Sequence, residues 1–244
     1  SVISASDRLV IMNFLGASAN GLYSIAYKFP NLISTLYSYF NIAWRETSAK
    51  IVRDNDTKEF DKIHKTVRSG VLAVAIMLIA MVRYIYPIFI DRQYHESIVY
   101  VPILAISIYY TSMSAFYGGV FSAYKKTKIL GTTSTYAAII NLVVDLLFFK
   151  WIGVYAAAIS TLASSLFLYG YRKVKMKKIF NAFDKSDYVT IAAFLLLSVA
   201  FYLNNGAVNI IAVAAAAVLS VYLNRSTIIL MLKKVKNHHR CDNS

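Results

Sequence analysis

An ionisable side chain inside an apolar run costs about 2.5–3.5 kcal/mol to insert into a bilayer, so each one marks a partner or a cavity. Five fall within apolar runs of this sequence: Asp7, Arg8, Lys28, Arg83 and Asp145. Arg8 precedes Gly16 by eight residues, and Lys28 follows Asn20 by eight. If the chain turns over 16–19, a rise of 1.5 Å per residue puts both about 12 Å beneath the turn. Two cations at one depth form a site for an anion, and Asp7 beside them is a partner for one of the two. Two readings stay open: a cation-rich cavity wall, or a charge pair that only closes the hairpin. Arg83 and Asp145 lie nearer the ends of their runs, where snorkelling to the headgroups is expected.

The run after the first turn carries a second pattern. Tyr23, Tyr27, Asn31, Ser34, Ser38, Asn41 and Arg45 recur every three or four residues, one polar stripe along a helix. Pro30 interrupts that helix and would bend it or free a carbonyl near the stripe. A lipid-facing surface is not built this way. The stripe reads as cavity lining, with an interhelical hydrogen-bonding seam as the alternative. Ser107, Thr111, Ala115, Gly119 and Ala123 show the reverse signature, a small face that lets helices approach closely. Ala156, Ser160 and Ser164 repeat it, and Ala214 to Ala217 thicken it near the end. These are packing surfaces.

The elements that would position these residues are membrane helices. Of 244 residues, 58% are apolar and only 16% charged, with a mean hydropathy of +0.53. Apolar runs at about 2–15, 20–44, 70–90, 98–121, 129–149, 153–171, 188–204 and 207–223 approach or reach the roughly 20 residues needed to span hydrocarbon. The expectation is an all-α polytopic membrane protein with about eight transmembrane helices. The first is cut short at Ser1, as in a piece of a longer protein. Residues 1–171 read as one bundle, 172–187 as a basic linker, 188–223 as a terminal hairpin and 224–244 as a basic tail. Met176, Ile179, Phe180 and Phe183 give the linker an amphipathic, interfacial character, and Phe60, Ile63 and Val67 do the same ahead of the third span.

Charge sets the orientation. Twenty-one of the 26 Lys and Arg residues fall in segments 45–69, 122–128, 172–187 and the tail. These alternate with nearly uncharged turns, so they and the tail are expected on the cytoplasmic side. The net charge of +14 is then a topology signal whose partner is anionic lipid, not nucleic acid. Catalytic signatures are absent: no HExxH, GxSxG or P-loop occurs, and the four histidines read as loop or tail residues. The lone cysteine, Cys241, excludes a disulfide framework or a cysteine-based zinc site. Neither a metal nor another cofactor is expected, and transport fits better than catalysis.

Ser6-Asp7-Arg8, Ile11 and Phe14-Leu15-Gly16, followed by Gly21-Leu22-Tyr23-Ser24-Ile25-Ala26-Tyr27-Lys28, resemble bacterial polysaccharide flippases of the Wzx type. These belong to the multidrug/oligosaccharidyl-lipid/polysaccharide exporter superfamily. Asn41-Ile42-Ala43-Trp44 is close to that family's Asn-x-Ala-Trp. Lys125-Lys126-Thr127, Asn141, and Gly153 with Ala156-Ala157-Ala158-Ile159-Ser160-Thr161 continue the likeness, with Ala156 standing where the family often has Gly. It covers residues 4–171.

The resemblance implies two six-helix lobes forming an inverted V around a cationic cavity in the bacterial inner membrane. Such proteins flip undecaprenyl-diphosphate-linked oligosaccharides by alternating access. This chain would be the C-terminal lobe with a terminal helix pair, its partner the missing N-terminal half. Arg8 and Lys28 would bind the diphosphate, while Asp7, Tyr23, Tyr27, Asn31, Ser34, Ser38 and Asn41 line the cavity. Polymerase and other polysaccharide-assembly proteins are the implied partners, beside the lipid-linked substrate. A cation or multidrug antiporter of the same superfamily would favour cavity acids, of which Asp7 is the deep one. A membrane enzyme of polysaccharide assembly would need a larger outer loop than residues 91–97.

Overall fold

A computed structural model describes the backbone of residues 2–177, 179 and 186–241, and side chains over 6–177, 179 and 187–229. The described chain is helical, without strands. Its helices are α1 (Val2–Ala26), α2 (Lys28–Asp54), α3 (Thr57–Phe89), α4 (Val101–Ala123), α5 (Thr127–Ile152), α6 (Val154–Lys177), α7 (Ser186–Leu203) and α8 (Gly206–Cys241), with a 3-10 segment, Arg92–Tyr100, before α4. Six stretches are long and apolar enough to cross a membrane: Ser6–Ala26, Thr57–Phe89, Arg92–Ala123, Thr127–Ile152, Val154–Lys177 and Gly206–Ile229. The architecture is that of a multi-pass membrane protein. Two of the eight expected spans fall short for physical reasons. The polar stripe lowers the hydropathy of α2, and the apolar part of α7, Asp187–Leu203, is short.

Ser6–Ala26 is itself not one straight span. Gly16 breaks α1 with φ 85 and ψ 179, backbone open to glycine and strained for other residues. The chain folds back there, because the Tyr23 hydroxyl reaches the Asp7 carboxylate at 2.6 Å. The expected four-residue turn at 16–19 is thus a single-residue bend, and helix resumes at once. The helical ladder then continues almost unbroken into α2: Tyr27 N–H donates to the Tyr23 carbonyl and Asn31 N–H to the Tyr27 carbonyl. The irregularity at Tyr27 has a direct cause. Pro30 has no N–H to offer the Ala26 carbonyl. Because residues 17–19 are helical, Lys28 lies four residues farther from the bend than Arg8, about 6 Å. The matched depth expected for these two cations does not arise.

The basic segment 45–69 is two helices rather than a loop. Asn55 (φ 50, ψ 37) ends α2, and the Asp56 carboxylate accepts the Glu59 N–H at 2.9 Å to cap α3. His64, expected in a loop, is therefore a buried helical residue, stacked on Phe60 and hydrogen-bonded to the Tyr117 hydroxyl at 3.1 Å. This end of the molecule, which also holds the α4–α5 turn and the C-terminus of α6, is its basic end.

The centre of the core is aromatic. Trp44 stacks on Phe116 with ring centroids 4.2 Å apart and donates its indole N–H to the Phe116 carbonyl. Gly119, from the small stripe of α4, gives Trp44 room: a Cβ there would meet the indole nitrogen at 2.6 Å. The terminal pair packs on α3. Ser69 and Asn224 exchange hydrogen bonds, and Asp187 pairs with Arg68 and Lys173. Arg83 binds Asn204 and the Phe201 carbonyl and lies over the Phe201 ring, so it clamps the α7–α8 turn. In place of a terminal hairpin ending at 223 with a separate tail, α8 runs on to Cys241. Of the expected interfacial stripe, Met176 is fully buried and Ile179 packs on the core, while Phe180 and Phe183 lie outside the described residues.

Candidate functional site

Two features built from polar side chains share one wall. The first is a buried cluster around Asp7, which is fully inaccessible. Its carboxylate accepts from Tyr23 at 2.6 Å, from Thr161 at 2.6 Å and from the Asn141 amide at 2.8 Å. Asn141 also donates to Ser160 at 2.9 Å and accepts from Ser6 at 3.0 Å. Four helical limbs converge on one carboxylate: both arms of the Gly16 hairpin, α5 and α6. Asp7 thus closes the hairpin through Tyr23, with neutral donors where a charge pair with Arg8 or Lys28 was the expected alternative.

Asp145 lies one turn beyond Asn141 on the same face of α5. It is 1% exposed, so it does not snorkel. An aspartate is too short to reach water from a face packed against α1 and α6. Neither of its carboxylate oxygens makes a hydrogen bond among the described residues, although Ser160 and the Asp7 carboxyl stand beside it. Asp145 also lines a small void together with Val10, Ile11, Leu15, Phe149 and Ala157. Asp7 and Asp145 thus bring two acidic groups into one buried region. Among the described residues no three His, Cys, Asp or Glu side chains converge.

The second feature is a cavity of about 690 Å³ between α2, α4, α5 and α6. Tyr27, Asn31, Ser34, Ser38 and Asn41 of the polar stripe line it. Thr111 and Ala115 bring the small face of α4 to it, Ser134 and Thr135 come from α5, and Thr161, Ser164 and Arg172 from α6. Asn31, Ser34, Ser38 and Thr135 are exposed on its rim, while Tyr37, Ser114 and Ser164 are buried on its floor. From Thr161 to Arg172 it follows eleven residues of α6, about 16 Å along the helix. Its volume lies in the range of ligand pockets, roughly 300–1,000 Å³. Thr161 belongs to both features, donating to Asp7 and lining the cavity.

Sequence reasoning places some of these residues and misses others. The stripe from Tyr27 to Asn41 comes together in one cavity, whereas Tyr23 turns into the acid cluster. Arg8 and Lys28 are exposed and stand outside the cavity wall. In the sequence alone, Asp145 reads as a snorkelling residue and Arg172 as part of the basic topology signal. The signals that could have found them are spacings. Asn141 and Asp145 are one helical turn apart, and Ser160, Ser164, Leu168 and Arg172 repeat every four residues on one face of α6.

No protein family, curated protein or solved structure matches this chain in comparison. The architecture and the two polar features within it therefore carry the functional reading.

Proposed function

We propose that this chain is the C-terminal lobe of a transporter that flips an undecaprenyl-diphosphate-linked oligosaccharide across the bacterial inner membrane. The observation that carries the reading is the hydroxyl- and amide-lined cavity within an otherwise apolar helix bundle. Such a lining offers alternating donors and acceptors to sugar hydroxyls, which hydrocarbon does not. Arg8 and Lys28, exposed on the hairpin beside it, are open to a diphosphate approaching from the missing half. The Asp7–Asp145 pair is the seat of the coupling proton or cation. An antiporter for organic cations would instead line its cavity with acids, and no Asp or Glu is among the residues lining this one.

Bulk at the rim tests the reading. Ser38→Trp, at an exposed rim position, is expected to abolish surface polysaccharide in the source bacterium at normal membrane levels of the full-length transporter. Leu36→Trp, an exposed apolar site 58% accessible, is expected to be silent. Normal export by Ser38→Trp would overturn the assignment of the cavity.

Orientation has its own check. Single cysteines at Lys126 and Lys177 are expected to react with a membrane-impermeant maleimide only after the cells are opened. Those at Lys150 and Asn205 should react in intact cells, following the positive-inside distribution. Labelling of Lys177 from outside would invert the topology.

A further inference from the structure

The cavity has a polar floor whose bonding is incomplete in a specific way. Arg172 is 8% exposed and lines the cavity toward the basic end. Its guanidinium donates to Thr133 at 3.1 Å, to the Ser114 carbonyl at 3.2 Å, to Ser134 at 3.2 Å and to the Leu130 carbonyl at 3.5 Å. All four partners are neutral oxygens, so the positive charge is oriented but not compensated. Two residues lining the cavity floor carry buried hydroxyls without a hydrogen-bond partner among the described residues: Ser114, on α4, and Tyr37, on α2. Ser114 is 1% exposed and Tyr37 7%. A buried hydroxyl without a partner costs stability in the empty protein, as does a buried charge without a counter-charge. One ligand chemistry answers both deficits at once, an oxyanion that accepts from hydroxyls and faces a guanidinium.

We propose that Arg172, with the Ser114 and Tyr37 hydroxyls, forms an anion seat on the cavity floor that takes a phosphoryl group of the transported saccharide carrier. The proposal rests on the reading of this cavity as the substrate site, and it moves the phosphate contact away from Arg8 and Lys28. Sugar hydroxyls would then lie along the Asn31–Asn41 stripe, with the phosphoryl group at the basic end. The guanidinium is already aligned by Thr133 and the two carbonyls, so little side-chain entropy is lost on binding.

The test uses the purified full-length transporter in zwitterionic phosphatidylcholine nanodiscs, with inorganic pyrophosphate as the probe and the thermal unfolding midpoint as the readout. Pyrophosphate is expected to raise the midpoint in a saturable way. Arg172→Gln, which keeps an N–H donor but not the charge, should weaken the apparent affinity about tenfold or more. Tyr37→Phe and Ser114→Ala remove hydroxyls that have no partner among the described residues. They should leave the ligand-free midpoint unchanged or higher while weakening pyrophosphate about fivefold each. These two variants keep the test decisive even if Arg172→Gln unfolds.

No shift with pyrophosphate, or undiminished affinity in Tyr37→Phe and Ser114→Ala, would overturn the seat. So would affinity lost in Arg8→Gln or Lys28→Gln but kept in Arg172→Gln, or a shift obtained only with phosphatidylglycerol nanodiscs. The two readings fail separately. If Ser38→Trp blocks export while pyrophosphate ignores Arg172, the seat falls and the transport reading stands. If pyrophosphate binds through Arg172 while Ser38→Trp exports normally, the seat stands and the transport reading falls.

Discussion

Asp7→Ala is expected to lower the unfolding midpoint steeply, whereas Asp145→Asn should fold normally and fail to export polysaccharide. The contrast follows from the hydrogen bonds. Asp7 takes three from three different helical limbs. Side-chain hydrogen bonds within membrane proteins average about 0.6 kcal/mol, so three neutral ones would contribute about 2 kcal/mol. The carboxylate strengthens each of them, and its loss takes away the acceptor of the buried Tyr23 and Thr161 hydroxyls, while Asn141 keeps its bond to Ser160. A loss of about 2–4 kcal/mol is expected from Asp7→Ala, measured by thermal or denaturant unfolding in detergent.

Asp145 is the opposite case. Its oxygens make no hydrogen bonds among the described residues, so the amide of Asp145→Asn forfeits none and stands beside a carboxyl that can accept from it. The cost should stay below about 1 kcal/mol. The substitution does fix the charge of the pair, and export should fall to background if that charge drives the cycle. Normal export by Asp145→Asn would sink the coupling role, and an unshifted midpoint for Asp7→Ala would sink the structural one.

Gly119→Ala carries the second large effect. The added Cβ would lie 2.6 Å from the Trp44 indole nitrogen and 2.7 Å from its Cδ1. The indole cannot swing aside, being 1% exposed, stacked on Phe116 and bonded to a carbonyl. α2 and α4 must separate, at a cost of about 1–3 kcal/mol. The neighbouring Gly118→Ala is the control, because its Cβ would meet Arg172 and Leu130 at ordinary distances of 3.5 and 3.6 Å. Thermal melts of both variants decide the point. A Gly119→Ala protein as stable as Gly118→Ala would refute the contact.

How much was legible beforehand depended on the range of the signal. Apolar run lengths and polar spacing are local, so the helical class and the stripe from Tyr27 to Asn41 could be read directly. The small face around Gly119 was equally readable as a close approach, though not its partner Trp44, which comes from 75 positions earlier in the chain. Depth is not legible in the same way, because one glycine, not a loop, turns the first hairpin. That shifted Lys28 relative to Arg8 by a full helical turn. Arg172 sits in a run of basic residues where five neighbours carry the same topology signal. Nothing local separates the one that turns inward. Asp145 depended on knowing that its face of α5 packs against α1 and α6, a tertiary fact.

The shared position of Thr161 has a thermodynamic consequence. One hydroxyl proton is committed to Asp7, while the same side chain forms part of the cavity wall. If the cavity takes cargo and the acid pair a coupling proton or ion, as proposed, a ligand that draws Thr161 toward itself changes how tightly the pair holds it. Linkage then requires the reverse by the same factor: filling the acid pair must alter cargo affinity equally. A single threonine methyl and hydroxyl would carry that exchange of free energy. Thr161→Val, which keeps the shape and deletes the hydroxyl, would uncouple two sites that each still bind.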